Sequence, residues 1–186
     1  MNTIQLALPL LQQLGTRSLA QEAVQISVNG MPRDALDRGW ARVGSGMYRC
    51  ALRGPDGLVY KHSGDFEMQV QEVRIFHRYA IEPWCPEASL HVVNMDARST
   101  RQDAVVVMPY YPGVSAPYEA GRHELMGQIS RQSGITDLCN SNVAIVDDQL
   151  IVIDAGNHFN HALPTDDQLL CPASCPCRVA LAVPFH

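Results

Sequence analysis

Ala41-Arg42-Val43-Gly44-Ser45-Gly46-Met47-Tyr48-Arg49-Cys50-Ala51-Leu52-Arg53-Gly54-Pro55-Asp56-Gly57-Leu58-Val59-Tyr60-Lys61 carries most of the information about architecture. Two short strand-like runs, 47–52 and 58–61, flank Gly54-Pro55-Asp56-Gly57, and such a Pro-Asp-Gly turn between extended runs predicts a β-hairpin. Ala41-Arg42-Val43 attaches another strand end ahead of Gly44-Ser45-Gly46. Glycine there lets a backbone come close to a ligand, because it has no Cβ.

Working outward, residues 66–80 predict a helix, with Phe66, Val70, Val73 and Phe76 as its apolar stripe and Glu67, Glu72 and Arg74 off it. A corner with Pro83 and Pro86 leads to a predicted strand from Ser89 to Met95. Ala104-Val105-Val106-Val107-Met108 has the continuous apolar character of a buried strand. Pro109 to Pro117 reads as loop and 119–132 as one helix. The runs 143–146 and 149–153 flank Asp147-Asp148 as a small hairpin. Ahead of all this, residues 1–28 predict helix in two pieces. Leu6, Leu10 and Leu14 share a face that Gly15 ends, and Ser-Leu-Ala-Gln from Ser18 resembles a capping box. Asn29-Gly30-Met31-Pro32 closes the prefix with turn chemistry.

The chain has 186 residues, 46% hydrophobic and 18% charged, which predicts an ordinary globular protein of one domain or two small lobes. A net charge of −5 argues against a general nucleic-acid binder. No apolar run reaches the roughly 18 residues that span a bilayer. No cationic residue precedes the apolar start, so no secretory signal is expected. Six cysteines, three of them isolated at 50, 85 and 139, fit a reducing compartment rather than a disulfide scaffold. The expected location is cytoplasmic, the host cytoplasm if the protein is phage-encoded.

Five features occur in one order: the turn Gly44-Ser45-Gly46, Lys61 ending a strand, Glu72 on the next helix, Asp137-Leu138-Cys139-Asn140-Ser141-Asn142, and Ile153-Asp154-Ala155-Gly156 after a hairpin. Each alone has a plain structural reading, as a turn, a solvated strand edge, an Asx turn or a helix cap. As an ordered set over residues 40–160 they resemble the protein-kinase-like family, closest to small atypical microbial or phage-type members. The resemblance implies an α+β fold, with an antiparallel-sheet N-lobe at 33–113 and a minimal helical C-lobe at 114–186 behind the helical prefix 1–32. It also implies ATP and Mg²⁺. Gly44, Ser45, Gly46 and Lys61 would face the phosphates, with Glu72 holding Lys61, and Asp137 would take the acceptor hydroxyl's proton. Asn142 and Asp154 would supply hard oxygens to the metal. Met108-Pro109-Tyr110-Tyr111 sits at the expected hinge, where the Pro109 carbonyl and Tyr111 amide can hold adenine; a loop covering a core edge would read the same way.

The departures from the family pattern are specific. Arg49 stands where a third glycine is frequent and is expected at the surface, with phosphate as its other possible partner. Ile135 and Thr136 replace the usual His and Arg before Asp137, so control through that Arg is not expected. Ala155 replaces an aromatic. The chain ends at His186, without room for the family's full set of C-terminal helices, so the substrate platform is expected to be reduced or supplied by a partner. Cys171, Cys175 and Cys177, with His158, His161 or His186, lack standard zinc spacing and are expected to form an irregular tail. Trp40 and Trp84 are expected in or at the rim of the core. The expected activity is phosphoryl transfer to a hydroxyl, on a protein Ser or Thr. The alternatives are an interaction or inhibitor module of pseudokinase type and an AMP transferase on the same fold.

Overall fold

Strand side chains alternate between two faces, and the helices of this chain are arranged to cover those faces. A computed structural model describes residues 3–45, 49–94, 102–112, 120–135, 138–139 and 141–155. They form a mixed α+β fold. In order it runs α1 (Thr3–Asn29), β1 (Ala41–Ser45), β2 (Cys50–Arg53), β3 (Leu58–His62), α2 (Phe66–Arg78), β4 (Ser89–Asn94) and β5 (Gln102–Pro109). After these come α3 (Ala120–Ser133), β6 (Val143–Val146) and β7 (Gln149–Val152). Five strands make one sheet in the order β1-β2-β3-β5-β4, and β6 pairs with β7. Every pairing is antiparallel.

The β2–β3 hairpin turns where the sequence predicts. Gly57 has φ +81°, a conformation that suits glycine. Asp56 fixes the turn by accepting from the Leu58 amide at 3.1 Å and from the Tyr60 hydroxyl at 2.6 Å. Burial and the Asp56 carboxylate together push the Tyr60 phenol well above its usual range. The hairpin of β6 and β7 turns through Asp147 and Asp148, with φ 49° and 62°, as a two-residue turn requires and Asp tolerates.

Helix α1 corrects one expectation: it is continuous through Gly15 rather than broken there. Glycine inside a helix costs about 1 kcal/mol relative to alanine. The packing of the following turns offsets that cost. Ala20, Ala23, Val24 and Ile26 are buried against Leu52, Tyr60, Val93, Val105 and Val107 on one face of the sheet, with Trp40 edge-on to Tyr60 at 5.4 Å. Polar groups fix this docking too. Buried His62 is held between Ser27 of α1, 2.9 Å from Nδ1, and Asp103 of β5, 2.8 Å from Nε2.

The opposite face takes α2 over part of its width. Asp65 caps the helix by accepting from the Met68 amide at 3.0 Å. Val70 and Val73 bury against Leu90, Ala104 and Val106. Gln69 donates to the Lys61 carbonyl at 2.8 Å, which keys the helix to β3. The far side of α2, through Ile75 and Phe76, joins a second core made with Met126 and Ile129 of α3 and Val143, Leu150 and Val152 of the small hairpin. Trp84 is buried in that core, and its carbonyl accepts from the Val152 amide at 2.9 Å. Both tryptophans are therefore core residues, as expected. No helix among the described residues is long and apolar enough to cross a membrane.

Candidate functional site

Register decides which side chains face the part of the sheet that α2 leaves uncovered. Ala51 pairs with Lys61, and Val59 with Met108, so these four share one face. They line a cleft of about 440 Å³ that β1 borders with Val43, Gly44 and Ser45. Pro109 at the end of β5 and Tyr110 and Tyr111 beyond it form its rim, and Asn142, Val143, Ile153 and Asp154 close it from the small hairpin. The volume falls within the range of small-molecule sites, roughly 300–1,000 Å³.

Lys61 is almost fully buried at 4% exposure, and its Nζ donates to Glu72 Oε1 at 2.6 Å and to the Ile153 carbonyl at 2.7 Å. It lies 3.6 Å from Asp154 Oδ1. Glu72 has no exposed surface, and a carboxylate buried so completely is costly unless it is paired and hydrogen-bonded. Besides Lys61, it accepts from the Ala155 amide at 3.0 Å. Arg49 Nη1 lies 2.8 Å from Glu72 Oε2, an ion-pair distance without hydrogen-bond alignment. The Asn142 carbonyl accepts from the amides of Ile153 and Asp154 at 2.9 and 3.2 Å, which fixes both hairpin ends together.

Arg49 overturns the expectation of a surface charge. Its side chain is 5% exposed and its Nη1 donates to Asp154 Oδ1 at 2.6 Å. Burial would lower its pKa, but the Glu72 and Asp154 carboxylates outweigh burial and raise it, so the guanidinium stays charged. A signal for this placement was present in the sequence. Arg49 precedes Ala51 by two residues, and strand alternation puts both on the face of Lys61.

The site brings together Gly44, Ser45, Lys61, Met108, Pro109, Tyr111, Asn142 and Asp154 around one cleft, with Glu72 behind Lys61. Asp137 and Gly46 lie outside the described residues, as do the tail cysteines and histidines. Three contributions were not anticipated: the backbone groups of Ile153 and Ala155, and Gln69, which holds the Lys61 strand onto α2. Compared with protein-family models, curated proteins and solved structures, the chain matches none.

Proposed function

We propose that this chain is a small protein-kinase-like phosphotransferase that moves the terminal phosphoryl group of ATP to a hydroxyl, on a protein Ser or Thr. One observation carries the reading. A buried lysine on β3, held at 2.6 Å by a fully buried helix glutamate, lies in a cleft bordered by the glycine-bearing strand, the 108–111 rim and the Asn142–Asp154 hairpin. Phosphoryl transfer asks a protein mainly for positioning and fixed charge, and these residues supply both.

In this reading, Val43, Ala51, Val59 and Met108 form the apolar walls for the base, and the Pro109 carbonyl and Tyr111 amide hold its edge. Lys61 addresses the phosphates, pre-positioned by Glu72 and the Ile153 carbonyl. Asp154 and Asn142 present one carboxylate and one carboxamide oxygen, a donor set that fits Mg²⁺ once phosphate and water oxygens complete the shell. When bound, the ion neutralises charge on the transferring group. Asp137 orients the acceptor hydroxyl and takes its proton as it leaves.

A second reading, a nucleotide-binding interaction module without transfer, is favoured by the engagement of Asp154 with Arg49 at 2.6 Å. Incubation with a panel of hydroxyl-bearing proteins and either γ- or α-labelled ATP decides between them. Label transferred from the γ position supports the phosphotransferase, and label from the α position replaces it with AMP transfer. ATP binding with no label transferred supports the module.

A further inference from the structure

Arg49 uses its donors incompletely. A guanidinium carries five N–H groups, yet among the described residues only Nη1 makes a hydrogen bond, to Asp154. Its Nε and Nη2 are buried and find no hydrogen-bond partner among the described residues. Donors left in that state cost stability, because they have given up water for nothing. The residue lines the cleft beside Gly44, Ser45 and Lys61. Its hydrogen-bond partner is Asp154, the carboxylate that a metal would need, and it also lies at ion-pair distance, 2.8 Å, from Glu72.

Resting on the reading of the cleft as a polyphosphate site, we propose that Arg49 is a phosphate-binding residue that changes partners. In the free protein it pairs with Asp154, and when nucleotide enters it turns its open N–H donors onto phosphate oxygens and releases Asp154. Arginine suits this role because its planar fork grips phosphate through two parallel hydrogen bonds. The exchange keeps charge matched at each stage. Asp154 is neutralised by Arg49 before the nucleotide arrives, and the added phosphate charges take up Arg49 afterwards. Two consequences separate this role from simple packing. Arg49 should strengthen ATP binding without any metal, and it should weaken the binding of a divalent ion without nucleotide, because the two compete for Asp154.

The experiment uses the full chain and Arg49→Gln, with ATP titrated by calorimetry in EDTA and Mn²⁺ titrated alone by electron paramagnetic resonance. Loss of a charge-assisted phosphate contact should weaken metal-free ATP binding about tenfold or more, while Mn²⁺ alone binds several-fold tighter. If the parent binds ATP and both affinities are unchanged in Arg49→Gln, the exchange is wrong although the nucleotide reading stands. If the parent binds no ATP even with Mg²⁺, the nucleotide reading fails and takes the exchange with it. Should Arg49→Gln not fold, Arg49→Lys keeps the charge but not the fork. It should lose metal-free ATP affinity with little change in Mn²⁺ binding, and parental ATP affinity there overturns the proposal.

Discussion

Glu72→Gln tests whether the site is held by one carboxylate between two buried cations. Glutamine keeps an oxygen for the Lys61 ammonium and the Ala155 amide, which lie 2.6 and 3.0 Å from Oε1. What it removes is charge. Lys61 and Arg49, each with a side chain 5% exposed, then keep Asp154 as their one ion-pair partner among the described residues. Breaking a buried ion pair by deleting one partner costs about 3–5 kcal/mol. Asp154 lies 2.6 Å from Arg49 and 3.6 Å from Lys61 and recovers part of this, so the expected loss is about 3 kcal/mol, the low end of that range. Against a domain stability of about 5–15 kcal/mol, that is a large fraction. Urea unfolding followed by circular dichroism should show a lower midpoint at an unchanged slope. Glu72→Ala should lose about 1–3 kcal/mol more, because it orphans the Ala155 amide. A Glu72→Gln shift within about 0.5 kcal/mol, the range of surface substitutions, would refute the charge argument.

Two further expectations rest on the proposed function and one on the fold. Lys61→Met should leave the chain folded but less stable, since the buried Glu72 then keeps Arg49 as its cationic partner, and should lose phosphoryl transfer by on the order of 10²-fold, read by single-turnover transfer of γ-label. Asp137→Asn should leave ATP affinity nearly unchanged and reduce turnover by about 10²- to 10⁴-fold, and equal turnover would remove Asp137 from the chemistry. Burial, with the Arg17 charge adding to it, lowers the His91 pKa in the folded chain. Below about pH 6.5 the unfolded chain therefore binds the extra proton first, so stability rises with pH up to about 6.5 and is then flat for this group. His91→Gln should flatten that slope in urea midpoints taken across the pH range, and an unchanged slope would assign it to other groups.

The parts of the fold that were legible in the sequence are those set by local pattern. The Pro55-Asp56-Gly57 turn and the period-two runs beside it give β2 and β3, and the stripe from Phe66 to Phe76 gives α2. Lys61 and Glu72 are 11 residues apart on consecutive elements, so their pairing is within reach of an ordered motif. What was hidden depends on distant contacts. Strand alternation with Ala51 put Arg49 on the face of Lys61, but its partner Asp154 is 105 positions away, and the general tendency of arginine to stay solvated pointed to the surface. Gly15 suggested a helix end because propensity is local, whereas the tertiary packing of Ala20, Ala23 and Val24 carries the helix through it. The Ser27–His62–Asp103 anchor was equally out of reach, since it joins three elements through two nitrogens of one ring.

The two oxygens of Glu72 meet groups from three separated stretches of chain: Arg49 before β2 by an ion pair, and Lys61 on β3 and Ala155 beyond β7 by hydrogen bonds. Because that carboxylate rides on α2, a small rotation or sliding of this one helix would loosen all three together, with Asp154 following through the Ala155 backbone. The site thus has a single mechanical control point, about one side chain in size, and it lies on an element whose far side packs against α3 and the small hairpin. A binding event that strained that second core would reach the cleft through Glu72 and touch several contacts of the charge cluster at once.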